Sequence, residues 1–173
     1  MALPFHAEQH VLAAPEVVWA FIQDVGRAGR WMRGTERMEE LTRPPLAVGS
    51  RFLQTRRIQG HVASAEFVVT DLDPLRRRLS LEVDGRTGSL GRGVFRFRYA
   101  MDADGRGGTR VIVDGEIAEL GRAVELLARL FVRSFVRVVE SDLDALRACL
   151  DDGDADDAAP DVTTSSTSRD PST

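Results

Sequence analysis

Residues 13–32 read AAPEVVWAFIQDVGRAGRWM and carry both tryptophans of the 173-residue chain, Trp19 and Trp31, on either side of Asp24-Val25-Gly26. Pro15 suits the first turn of a helix, where its missing N–H costs nothing. Val18, Trp19 and Ile22 recur at helical spacing with Phe21 beside them. Asp24-Val25-Gly26 stops that helix, and RAGRWM supplies about two further turns. Two short helices set at an angle bring Trp19 and Trp31 to one place, which a single straight helix would not do over twelve residues.

Outward from this stretch the period changes. Upstream, Phe5–Leu12 reads as a first strand closed by Ala13-Ala14-Pro15. Downstream, segments 36–42, 50–59, 62–72, 77–84, 92–102 and 109–118 alternate with period two. Turn chemistry separates them: Pro44-Pro45 with Gly49, Gly60, Asp73-Pro74, Asp84-Gly85, and Asp104-Gly105 with Gly107-Gly108. Short connections imply antiparallel hairpins. Phe95, Phe97, Tyr99 and Met101 share one face and Arg96 and Arg98 the other, so the sheet has a dry side and a wet side. Residues 120–150 then read as a single amphipathic helix about 45 Å long. Its charged stripe includes Arg129, Arg133 and Arg137, and its apolar side includes Leu127, Phe131 and Phe135.

Charge is unevenly spread. Residues 151–173 hold seven acids and one base, leaving 20 acids and 22 bases in residues 1–150. That balance gives no nucleic-acid footprint, and the acidic, Ser/Thr-rich 151–173 reads as a disordered tail. The expected organisation is thus a single domain over 1–150 and the tail. All 23 basic residues are arginine, a compositional habit that fills plain surface positions. The single cysteine, Cys149, excludes an intramolecular disulfide, and the start MALPFHAEQH has no signal-peptide pattern. No run reaches the ~18 apolar residues of a membrane span. A cytoplasmic protein is expected.

Particular residues sharpen this order of elements: "APEVVWAFIQDV…W" near the start, "LAVGSRF" opening a strand, "DLDP" ending one, and "GGTRV" opening the last. Over about residues 6–150 they resemble the polyketide cyclase/dehydrase-like branch of the START-like (SRPBCC) superfamily. The resemblance implies an α+β helix-grip fold: a strongly curved antiparallel sheet of about seven strands around the long C-terminal helix, with an apolar cavity between them. Trp19, Trp31, Phe67, Phe95, Phe97, Tyr99, Val111, Val113, Leu127, Phe131 and Phe135 are the residues expected at that cavity, each either as ligand contact or as plain core. Gly91, Gly93 and Gly115, within or beside strands, are expected to permit bulges and sharp bending.

Strong catalytic signatures are lacking. His6 and His10 have the spacing of a metal pair on a helix, but on a strand a four-residue step spans roughly 13 Å. Cys149, in the last turn of the helix with no histidine near it in sequence, reads as inert. No nucleophile elbow, P-loop or dinucleotide fingerprint appears, so no metal and no cofactor is assigned. Tyr99, Arg56, Gln54, Glu66 and His61 are the polar groups able to do acid–base work inside a cavity, Tyr99 first because it shares a face with Phe95 and Phe97. The phase of strand 50–59 stays open, since Phe52 and Leu53 point to opposite faces. The arginine stripe has two readings, the wet face of the helix or a peripheral membrane contact, and the apolar face already committed to the sheet favours the first.

Three functions fit: binding of a small or medium hydrophobic molecule (lipid, isoprenoid or quinone, or polyketide), a polyketide aromatase/cyclase or dehydratase, and an accessory partner of a redox or membrane enzyme. The first ranks ahead, with a small hydrophobic ligand and no nucleic acid as its partners.

Overall fold

The computed structural model describes residues 2–58, 60–87, 93–119 and 128–152. Strand β1 (Leu3–Val11) leads into α1 (Pro15–Gln23), a 3-10 turn (Val25–Arg27) and α2 (Ala28–Trp31). Six strands follow: β2 (Thr35–Glu40), β3 (Arg51–Ile58), β4 (His61–Asp73), β5 (Arg78–Asp84), β6 (Val94–Ala103) and β7 (Thr109–Ala118). Helix α3 (Ala128–Asp151) ends the described chain. The expected helix span 120–127 and residues 153–173 of the expected tail lie outside the described residues, while Asp151, expected to open that tail, belongs instead to the helix.

All seven strands form one antiparallel sheet in the order β1-β7-β6-β5-β4-β3-β2, curved around α3. This is the α+β helix-grip architecture that the element order implied. Consecutive hairpins account for every pairing except β1 with β7, which places the first and last strands side by side. The inner face is continuous: Leu79, Leu81 and Val83 of β5, Phe95, Phe97, Tyr99 and Met101 of β6, and Val111, Val113 and Ile117 of β7 are all buried. Leu143, Leu146 and Leu150 of α3 close the same core from the other side.

The interruption at Asp24 behaves as its chemistry demands. The Asp24 carboxylate accepts the backbone N–H of Arg27, capping the 3-10 turn that leads into α2. Leu12, assigned to the first strand by its sequence, instead lies just beyond it and is exposed.

Among the described residues, two bulges fall away from Gly93 and Gly115. One lies between Thr35 and Arg37 in the β2–β3 pair, the other between Val69 and Asp71 in β4–β5. The second shifts the inward phase of β4 from Val69 to Leu72, so that Leu72 opposes Leu79. Register through Gly115 is unbroken on both sides. Its missing side chain serves close approach instead, because a Cβ there would collide with the Phe5 ring and the Arg96 carbonyl. Gly93 leads into β6 at φ 136, its carbonyl accepting the N–H of Gly85, while Gly91 lies outside the described residues.

Candidate functional site

Helix α3 and the sheet do not meet everywhere. Between them lies a cavity of about 220 Å³. Its origin is local to β4, whose inward positions are Phe67 and Val69 at one end but Ala65 and Ala63 toward the other. Two methyl groups stand there, opposite Gln54 and Arg56 of β3, and the helix, held off by the aromatic side chains at the other end, cannot collapse onto them. Aromatic residues wall one end. Phe135 of α3 packs against Phe5, Phe95 and Phe97 at centroid separations of 5.1, 5.5 and 5.9 Å. Phe67 continues the wall, 6.2 Å from Phe97 and stacked 5.1 Å from Phe52.

The other end is polar. The register of β3 on β4 sets Phe52 opposite Phe67, Gln54 opposite Ala65 and Arg56 opposite Ala63, so the even-numbered residues of β3 face in. That settles the phase left open above. Arg56 reaches α3 and binds Asp142 through both guanidinium ends, Nη1 to Oδ2 at 2.9 Å and Nη2 to Oδ1 at 2.7 Å. Asp142 also accepts the backbone N–H of Arg33 at 2.8 Å, and the Arg33 side chain donates to the Ser141 carbonyl at 3.1 Å. Gly34 makes this approach possible: with φ 77 its carbonyl accepts the Arg57 N–H, and a Cβ would strike the Arg57 carbonyl.

Burial dominates the electrostatics here. It pushes the Asp142 carboxyl above its ordinary value of 3.8, with the Arg56 guanidinium pulling the other way. Burial also raises the Tyr99 phenol, helped by the Asp142 charge, so the hydroxyl stays protonated. Gln54 donates to Thr35 Oγ1 at 2.8 Å and toward Met32 Sδ at 3.2 Å. Trp31 Nε1 and Arg56 Nε are buried with no hydrogen-bond partner among the described residues. The polar end thus offers a donor, an amide and a self-neutralised ion pair, suited to orienting one polar group of an otherwise apolar guest.

Of the residues expected at the cavity, Trp31, Phe67, Phe95, Phe97, Tyr99, Val113 and Phe135 line it, joined by Arg56 and Gln54. Trp19 and Val111 are buried in the core without lining it, so the two tryptophans do not converge on the cavity. Leu127 and the side chain of Phe131 lie outside the described residues. Glu66 points to the opposite face of β4 and pairs with Arg51; His61 is exposed at the strand's start. His6 is exposed and bonded to Asp114 at 2.8 Å, and no cluster that could hold a metal occurs among the described residues. The Cys149 thiol donates to the Arg30 carbonyl at 3.6 Å. Arg133 and Arg137 lie on the exposed side of α3, and no helix among the described residues is long and apolar enough to cross a membrane.

Asp142 is the functional candidate that sequence reasoning missed. Its signal was present: it follows Phe135, Val138 and Val139 at helical spacing, an acid inside the apolar stripe. Ala63 and Ala65 were missed too, because a small residue signals its absence of bulk only once its opposite neighbours are known.

Two further hollows lack this character. A void of about 20 Å³ lies behind Trp31, Met32 and Tyr99, too small for a ligand. A cleft of about 530 Å³ at Pro44-Pro45 is open and bordered by Asp24, Glu40, Arg43 and Arg51.

The family model for polyketide cyclase / dehydrase and lipid transport matches residues 3–151. The chain belongs to that family. Its fold is accordingly the helix grip of the START-like (SRPBCC) superfamily, polyketide cyclase/dehydrase branch. No curated protein matches the chain by sequence. Among solved structures it is similar to TTHA0849 from Thermus thermophilus, with 19% identity, TM-score 0.70, and 86% of this chain and 97% of that one covered. It is similar to the major latex-like protein 151 of Panax ginseng, with 14% identity, TM-score 0.71 and coverage of 86% and 97%. The Zhui aromatase/cyclase from Streptomyces sp. R1128 is likewise similar, with 18% identity, TM-score 0.68 and coverage of 90% and 94%. At these identities the structural likeness speaks to the fold. Family membership supports a hydrophobic-ligand-binding or polyketide cyclase-type protein.

Proposed function

We propose that this family member binds a small hydrophobic molecule of the lipid, isoprenoid or quinone, or polyketide class in the cavity between α3 and the sheet. The observation that carries the reading is the cavity itself: apolar walls of Phe67, Phe95, Phe97 and Phe135 ending in one compact polar group of Tyr99, Gln54, Arg56 and Asp142. Its 220 Å³ falls below the roughly 300–1,000 Å³ of sites for drug-sized ligands, which favours a guest of about two fused rings over a long acyl chain. Affinity comes chiefly from apolar burial, less the cost of ordering the guest.

Native mass spectrometry of the purified protein tests this. A co-purified hydrophobic compound is expected on the wild type and absent from Ala65→Phe, whose ring fills the space that the alanine leaves. A folded Ala65→Phe variant that carries the same compound would overturn the assignment.

A second reading, a cyclase or dehydratase, is favoured by one observation: a carboxyl with a raised pKa beside a neutral phenol at the cavity's polar end. On that reading Tyr99 donates a proton to a ligand carbonyl and Asp142, oriented by Arg56, takes one. Unchanged turnover of the true substrate by Tyr99→Phe would rule it out.

A further inference from the structure

Three features of the polar end bear on the chemistry of the guest, and the inference from them rests on the ligand-binding reading above. The Tyr99 side chain is 7% exposed, and its hydroxyl makes no hydrogen bond among the described residues. The hydroxyl is not among the sealed polar atoms that lack a partner, and it belongs to a residue lining the cavity, so an occupant there can meet its unused donor. Gln54 is 4% exposed and spends its amide nitrogen on Thr35 and Met32, and its carboxamide oxygen has no partner among the described residues. Arg56 and Asp142 are the only charged residues among the described residues lining the cavity, and they neutralise each other through two hydrogen bonds.

We propose that the guest's polar end is an uncharged oxygen, either a ketone held by the Tyr99 hydroxyl or a phenol held by that hydroxyl and by the Gln54 carboxamide oxygen, and that carboxylate-bearing molecules of the same shape are excluded. The exclusion follows from the ion pair. A guest carboxylate would give up its hydration and find the Arg56 charge already taken by Asp142. A guest cation would meet the Asp142 charge already taken by Arg56. A neutral carbonyl gives up far less water and gains the donor that Tyr99 leaves unused. A phenol does so as well, and its own proton can reach the Gln54 carboxamide.

The test is isothermal titration of the full chain with naphthalene, 2-acetylnaphthalene and 2-naphthoate near neutral pH. The last two differ in a methyl group against an anionic oxygen on the same naphthyl carbonyl. The expected order is acetylnaphthalene tightest, naphthoate weaker by about tenfold or more. Tyr99→Phe is expected to weaken acetylnaphthalene about three- to tenfold and to leave naphthalene unchanged. Asp142→Asn frees the Arg56 charge and is expected to reverse the order in favour of naphthoate, provided its melting transition shows a folded protein. Naphthalene binding with naphthoate equal to or tighter than the ketone on the wild type overturns this inference and leaves the cavity reading standing. Failure of all three probes to bind overturns both.

Discussion

Two arginine–carboxylate clusters occupy opposite faces of the same sheet. On the outer face Arg96 of β6 lies between Glu82 of β5 and Glu116 of β7, its cross-strand partners in register, at 2.8 and 2.7 Å. On the inner face Arg56 meets Asp142 at 2.9 and 2.7 Å. The outer side chains are 34–45% exposed and the inner ones 14% and 11%. Distances this similar therefore have different consequences, with Arg96 bridging two carboxylates and Arg56 gripping one. Outside, water solvates every partner, and the carboxylates simply raise the Arg96 guanidinium's pKa. Inside, loss of water raises the Asp142 carboxyl despite a bidentate partner. The outer cluster decorates a surface; the inner one fixes α3 over the sheet at the polar end of the cavity.

The largest expected effect comes from breaking the inner pair on one side. Asp142→Ala strands the Arg56 guanidinium and removes the acceptor of the Arg33 N–H, at a cost of about 3–5 kcal/mol in guanidinium unfolding. A loss below about 1 kcal/mol would mean that the inner pair is as well solvated as the outer. Replacing both partners, Arg56→Met with Asp142→Leu, sharpens the point. The double variant is expected to unfold at higher denaturant than Asp142→Ala, since no buried charge is then left alone.

Next in size is a pH effect with a definite sign. A carboxyl whose pKa is raised on folding binds its proton more tightly in the folded chain. Its contribution is complete below the ordinary carboxylate value and is lost as pH rises through the raised one. The stability of the wild type relative to Asp142→Asn should therefore shrink as pH climbs from about 4 toward neutrality, measured by denaturant titration at each pH. A difference that grew with pH would show Arg56 outweighing the loss of solvation. Smallest is Arg96→Ala, expected to cost about 0–1 kcal/mol and to lose even that at high salt.

The same contrast separates what could be read in the chain from what could not. Arg96 belongs to the alternation FRFRY, and Glu82 and Glu116 occupy outward positions of strands that short hairpins make neighbours. Every step of that ladder is local, so strand period and turn residues suffice. Arg56 and Asp142 are separated by 86 residues, and neither strand period nor hairpin length links them. The phase of β3 was undecidable from Phe52 and Leu53, since each is apolar and only the pairing with Phe67 chooses between them. Trp19 shows a second kind of ambiguity. It was expected at the cavity either as ligand contact or as core, and α1 makes it core, because apolar bulk does not distinguish a wall from a filling.

What the sequence alone determined is the set of elements, their antiparallel order and the dry face of the sheet, since period, proline and glycine act over a few residues. Only the tertiary structure decided that a space remains at Ala63 and Ala65, and that Tyr99, Gln54, Arg56 and Asp142 meet at its end. A cavity is the volume that side chains on five strands and two helices fail to fill, and that remainder exists only when all of them are in place.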